Sequence, residues 1–298
     1  MNHKLLVAII FFVLNTPLNS IQGQINQNSI LWSVEDSSTG NRSFILGSIH
    51  TMDTSMIHFP VARIESLISQ SSVSFFEISF KEMGQVPKES LKPELFVNND
   101  PKLDIRKHLD SSQLSKLLMV FDSSKMYPGM KSVFHRFKPQ MLAFFVVSES
   151  QLKSPYFKDS NFSPDSYFAS FASRIGKPVM GLEDSKAQIG WIMNPDLSFE
   201  DGLAFLVQSI EDADTKSKDI FTPYANQDLS HFLSLANIPF NVSRQLDMAR
   251  KLGDVMKSKS AFVCVGVAHL PGPNGILDLL KKMGFIVQPI EIELSNSK

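Results

Sequence analysis

A chain of 298 residues, 43% of them apolar, can bury one large core or two small ones. Its 29 Lys and Arg nearly balance 30 Asp and Glu, and no run of like charge is long enough to track a nucleic-acid backbone or an anionic membrane. Nucleic acid is therefore not an expected partner. At the start, Met1-Asn2-His3-Lys4 precedes an apolar run over residues 5–14, ended by Asn15-Thr16-Pro17. That run is too short for a permanent membrane helix, so residues 1–23 read as a cleaved secretory signal with Ser20 and Gly23 as cleavage points. An uncleaved anchor is the alternative, because Leu18 and Ile21 fit the small-x-small rule poorly. With no second long apolar run, the mature chain is expected to be secreted or periplasmic, without a stable membrane span.

Residues 30–34 and 43–46 are short β-prone segments around the turn-rich stretch 35–41, which predicts a hairpin. The second strand runs into Gly47-Ser48-Ile49-His50. A helix over 61–69, with Ile64, Leu67 and Ile68 on one face, leads to the apolar strand Val73-Ser74-Phe75-Phe76-Glu77-Ile78. Residues 81–260 are read as a helical insert, with apolar periodicity over 111–120, 139–148, 165–175 and 241–256. Ser198-Phe199-Glu200-Asp201 caps a further helix over 202–210. Residues 177–183 interrupt the insert with a short strand ending in Glu183.

The C-terminal part repeats the opening plan. The apolar strand 261–265 ends in Gly266-Val267-Ala268-His269, and Pro271-Gly272-Pro273-Asn274-Gly275 leads into a helix closed by Gly284 and a last strand from Phe285. The expected fold is α/β: a central mixed sheet built from two βαβ units with Gly-x-x-His strand ends, plus the helical insert, in one domain over 24–298. Cys264, the only cysteine, lies in an apolar run and reads as a buried structural thiol. Asn41, Asn161 and Asn241 head Asn-x-Ser sequons, which matter only in a host that glycosylates exported proteins.

Ligands of parallel sheets collect at the carboxyl ends of strands, where both Gly-x-x-His segments fall. A glycine there permits a tight exit, and neighbouring strands would bring His50 and His269 face to face. Two imidazoles and Glu77 make a common first shell for a catalytic divalent metal, which lowers the pKa of bound water and polarises a carbonyl. A single histidine after a strand is more often a hydrogen-bonded structural residue, and the duplication is what argues for a site. Glu77 could instead face solvent on an edge strand, but Phe75, Phe76, Ile78 and Phe80 leave little polar face there. Glu183 is a second candidate acid, with a helix-cap neighbour beside Asp184 as the alternative. Arg244 could hold a carboxylate or an oxyanion in its fork, with a surface salt bridge as the alternative. His58, His108, His135 and His231 lack an acid or histidine at ligand spacing and read as surface or packing residues.

Phe44-Ile45-Leu46-Gly47-Ser48-Ile49-His50, Phe76-Glu77, Gly181-Leu182-Glu183 and Val265-Gly266-Val267-Ala268-His269-Leu270-Pro271-Gly272-Pro273-Asn274-Gly275 together resemble the TraB/GumN family, which includes the Tiki metalloproteases and the pheromone-shutdown proteins. The resemblance spans about residues 31–292. It implies that the family's paired histidines and glutamate fall on His50, His269 and Glu77. A helical Arg-Asn pair of the family looks like Arg244-Gln245, with the asparagine replaced, and an aspartate of bacterial members looks like Asp165. For Tiki-like members the resemblance implies a peptidase dependent on manganese or cobalt, with zinc a further candidate.

The leading expectation is an exported metal-dependent hydrolase acting on a peptide or small molecule. In that reading His50, His269 and Glu77 hold the ion, while Glu77, Glu183 and Arg244 are the candidate catalytic side chains. A non-catalytic binder of a secreted peptide or polysaccharide precursor is the alternative; a purely structural exported domain leaves the duplicated motif unexplained.

Overall fold

A computed structural model describes residues 29–50, 57–78, 96–124, 129–152, 163–184, 197–214, 220–237 and 239–296. The signal segment, Phe80 and the Asn161 sequon lie outside the described residues. The strands are β1 (Leu31–Asp36), β2 (Arg42–Ser48), β3 (Ile57–His58), β4 (Val73–Ile78), β5 (Val179–Glu183), β6 (Ala261–Gly266), β7 (Phe285–Pro289) and β8 (Ser295–Asn296). The helices of five or more residues are α1 (Val61–Gln70), α2 (Ser111–Asp122), α3 (Pro139–Leu152), α4 (Pro164–Arg174), α5 (Phe199–Asp214), α6 (Phe221–Ala225), α7 (Pro239–Met256) and α8 (Ile276–Lys282). Among the described residues no helix is long and apolar enough to cross a membrane.

The expected hairpin is present. β1 and β2 pair antiparallel, from Leu31↔Leu46 to Glu35↔Arg42. The turn holds because the Asp36 carboxylate accepts from Ser38 N (2.9 Å), Ser38 Oγ (2.8 Å) and Thr39 Oγ1 (3.1 Å), the local bonding that makes aspartate a turn residue.

Six strands form one mixed sheet in the order β5-β4-β6-β2-β1-β7. β2, β6, β4 and β5 run parallel, while β1 is antiparallel to both of its neighbours. Both expected strand–helix–strand units exist, β2-α1-β4 and β6-α8-β7, but they are interleaved. β6 slots between β2 and β4, and β2 and β1 lie between β6 and β7. The composition of β6 suits it to the centre: Ala261, Phe262, Val263, Cys264 and Val265 are all fully buried, so this strand needs cover on both faces. The consequence is that the strand carrying the second Gly-x-x-His lies directly between the strand carrying the first and the strand carrying Glu77.

Two apolar cores form among the described residues. The larger surrounds the sheet and includes Trp32, Phe75, Phe168, Phe262 and Leu252. The smaller joins α2, α3 and α5 through residues such as Leu117, Leu142, Val146 and Leu206. Stretch 81–260 is thus divided. α2, α3 and α5 build a separate helical lobe, whereas α4 and α7 bury Phe168, Ala172, Met248 and Leu252 in the sheet core and β5 joins the sheet itself.

Local caps define these helices as the sequence expects. Asp110 and Gln113 exchange backbone and side-chain bonds at the start of α2, and Ser198 Oγ accepts from Asp201 N (3.0 Å) at the start of α5. Pro164 after Ser163 opens α4, which places Asp165 in its first turn.

Candidate active site

β2 and β6 are adjacent and parallel, with Gly47 opposite Val265 and Ser48 opposite Gly266, so both Gly-x-x-His segments leave the sheet side by side. His269 ends a 3-10 turn over Val267–His269 that folds back across the end of β2. Gly47 makes that close approach possible: a Cβ on it would stand 2.7 Å from Leu270 Cδ1 and 3.2 Å from Val267 Cα. Tyr224, fully buried on α6, donates from its hydroxyl to Gly47 O (2.8 Å) and fixes the same strand end from behind.

Glu77 reaches the rim from β4 on the other side of β6 and is only 5% exposed. Its Oε1 accepts from Gly266 N (2.6 Å), faces His269 Nε2 at 3.5 Å and faces His50 Nε2 at 3.7 Å. The space shared by these groups is the one that Gly266 leaves by having no side chain. A Cβ built there would lie 3.0 Å from Glu77 Oε1, 3.4 Å from His50 Nε2 and 3.7 Å from His269 Cδ2.

The other Glu77 oxygen, Oε2, accepts from Arg244 Nη2 at 3.3 Å. Arg244 also forks onto Glu183, with Nε to Oε1 at 2.8 Å and Nη2 to Oε2 at 2.7 Å, and its Nη1 donates to Asn241 Oδ1 at 3.3 Å. Both Arg244 and Glu183 are about nine-tenths buried at the side chain. Arg244 is thus part of a buried ion cluster rather than a surface pair. Glu183 is its carboxylate partner at the end of β5 rather than a cap neighbour.

On the outer side, His50 Nδ1 stands 3.2 Å from Asp165 Oδ2. Sequence reasoning reached Asp165 by resemblance alone; the local signal was an acid in the first turn of a Ser-Pro-capped helix. Tyr224 left no such signal, and Asn241, read only as a sequon, lies one turn from Arg244 on α7. Asn241 is buried and its Oδ1 accepts from Arg244, so its amide belongs to the ion cluster. Asn41 is half-buried, with its amide donating to Lys257 O (3.1 Å). His108 (whose Nε2 meets Lys102 O) and His231 are exposed and take no part in the cluster. Cys264 is buried as expected.

Electrostatics divide the two imidazoles. Burial resists ionisation of Glu77, but the charges of His50, His269 and Arg244, with the Gly266 N–H, overcome it and hold the pKa at about 2. His50 is raised to about 9, first by Glu77 and then by Asp165, against its desolvation. His269 lies slightly nearer Glu77 yet moves the other way, to about 4, because burial outweighs that attraction. Asp165 makes the contrast: it adds a hydrogen bond and a second negative charge at His50, whereas His269 has no second carboxylate among its causes and is opposed by Arg244 and His50. His269 is therefore a neutral ring at neutral pH, with its Nδ1 buried and hydrogen-bonded to no group among the described residues.

The family model of the TraB/PrgY/gumN family matches residues 30–289. The chain belongs to the TraB/PrgY/gumN family. No curated protein and no solved structure matches it.

Whether this TraB/PrgY/gumN chain could hold a divalent ion is a question of donors and room. Two imidazole nitrogens and a carboxylate oxygen are suitable donors, and one ring is already neutral. Ligands bound at about 2.1 Å in a tetrahedral shell lie about 3.4 Å apart. The 3.5 and 3.7 Å separations about Glu77 Oε1 are of that size. The gap over Gly266 is where such an ion would sit, so the residues fit. Among the described residues no group of three or more His, Cys, Asp or Glu side chains is placed to hold a metal ion without rearrangement. The donors here meet pairwise through Glu77, and His50 has the exposure to adjust.

Proposed function

We propose that this protein is an exported metal-dependent hydrolase of peptide bonds, with His50, His269 and Glu77 holding the ion. The observation that carries this reading is the convergence of both imidazoles and Glu77 on the side-chain-free space at Gly266. A divalent ion there would supply acidified water and polarise the substrate carbonyl. Glu77, ionised and anchored at Oε1 by Gly266 N–H, presents a fixed negative oxygen to that space. Arg244 keeps Glu77 charged and fixed through Oε2, and Glu183 in turn holds Arg244. Manganese or cobalt is the expected ion by family resemblance, with zinc as a further candidate.

A second reading, a binder that turns nothing over, is favoured by one observation. The Arg244 guanidinium is already committed to Glu183, Glu77 and Asn241, so it has little left for a substrate charge. Cleavage of a peptide library by the purified protein, with chelator and with manganese, cobalt or zinc restored, separates the two. Metal-restored cleavage supports the hydrolase. Retention of peptides without any cleavage supports the binder.

A further inference from the structure

The two histidines differ in what lies behind them. Among the described residues His269 has no hydrogen-bond partner at Nδ1, whereas His50 has one that is itself held in place. Asp165 sits in the first turn of the 11-residue helix α4, where the helix dipole favours a carboxylate. Three side chains from two neighbouring strands and the loop beyond converge on it. Ser48 Oγ lies 3.0 and 3.1 Å from its two oxygens, Cys264 Sγ donates to Oδ1 at 3.6 Å, and His50 Nδ1 is 3.2 Å from Oδ2. Ser48 also lies 3.3 Å from Val265 O, so the carboxylate is tied to the β2–β6 pair that carries both motifs.

A carboxylate oxygen accepts, so Nδ1, the His50 nitrogen facing Asp165, bears hydrogen. When an ion displaces the other ring proton, Nε2 is the nitrogen left with a lone pair, and it faces the gap at Gly266. An exposed ring on a short segment beyond a strand has free rotation otherwise, and a fixed ring loses less entropy on binding an ion.

We propose that Asp165, anchored by Ser48, is the positioning residue of this site, setting the tautomer and orientation of His50 so that Nε2 faces the Gly266 space. This deepens the metal reading above and rests on it. The three atoms nearest the Gly266 space belong to Glu77, His50 and His269, so Asp165 acts through His50.

The test is a zinc competition titration of the purified wild type, Asp165→Ala, Asp165→Asn, Ser48→Ala, His50→Ala and the double variant Asp165→Ala/His50→Ala. Chelated samples are unfolded in urea alongside to register purely structural effects. Loss of such an outer partner weakens metal binding roughly 10- to 100-fold. Asp165→Ala is expected to fall in that range, with Asp165→Asn and Ser48→Ala weakened less. In the His50→Ala background, removing Asp165 should change zinc affinity no further. Should Asp165→Ala destabilise the fold too far to titrate, Asp165→Asn, which keeps the shape, decides the matter. Wild-type affinity in both Asp165 variants, or an equal additional loss without His50, overturns the positioning role and leaves the metal reading standing. Failure of the wild type itself to bind zinc, manganese or cobalt overturns the metal reading and the inference together.

Discussion

Glu77 Oε1 accepts a 2.6 Å hydrogen bond from the backbone N–H of Gly266, joining the acid of β4 to the second Gly-x-x-His segment at its glycine. The glycine serves twice, since its amide holds the carboxylate and its missing side chain leaves the space that Glu77 and both imidazoles face.

Gly266→Ala follows directly. The backbone there has φ −54° and ψ 134°, which alanine adopts without strain, so the added methyl acts through volume alone. It would meet Glu77 Oε1 at 3.0 Å and His50 Nε2 at 3.4 Å. Metal binding is expected to fall at least tenfold, while circular dichroism and the melting curve of the chelated protein stay close to wild type. Unchanged metal affinity would place the ion elsewhere.

Arg244→Met should cost far more stability than an exposed arginine would. It leaves Glu77 and Glu183, both under 10% exposed at the side chain, without their shared cation. Breaking such a buried pair costs about 3–5 kcal/mol, against about 0–1 kcal/mol for a surface pair. Urea unfolding that moves the midpoint without changing the slope would confirm it. A change below about 1 kcal/mol would show that the cluster is solvated.

Stability of the chelated protein should fall in mild acid through His269. The folded ring titrates near 4 against an ordinary value of 6.5, so an unfolded chain binds the proton first. This group's contribution is complete above pH 6.5 and is lost as pH drops through 4, with a loss of up to about 3 kcal/mol. His50 works in the opposite sense: its pKa is raised to about 9, so its contribution is present below 6.5 and lost as pH rises toward 9. With 58% of that side chain exposed, solvent screens the effect. Glu77 adds an acid loss only below its ordinary value of 4.5. Urea midpoints at pH 7 and 5 should therefore converge in His269→Gln relative to wild type.

Tyr224→Phe removes the hydroxyl that donates to Gly47 O at 2.8 Å in a fully buried setting. A loss of about 1–2 kcal/mol is expected in urea unfolding, since a buried acceptor loses its donor. No loss would mean that this carbonyl is fully served by the sheet.

Local chemistry made part of this architecture readable in the sequence. The hairpin, the apolar β6 and both Gly-x-x-His exits follow from turn residues, apolar runs and glycine placement, and the burial of Glu77 follows from Phe75, Phe76 and Ile78 around it. What the sequence hid is long-range pairing. The apolar run of β6 argues for a central strand, but nothing near it names β2 and β4 as its neighbours, because those partners lie far away along the chain. The Glu183–Arg244 fork joins residues 61 positions apart and the Ser48–Asp165 contact residues 117 apart, so neither pair leaves a periodic trace. The division of the helical stretch into two cores was equally invisible, since α2 and α4 are both amphipathic and differ only in the surface each covers.

Metal content per chain in wild type, His50→Ala and His269→Ala, measured after dialysis against manganese, cobalt and zinc in turn, tests the central claim most directly. About one ion per folded wild-type chain, lost in each variant with the circular dichroism unchanged, is the expected result. Equal and negligible metal in all three proteins, or equal retention in all three, would contradict it.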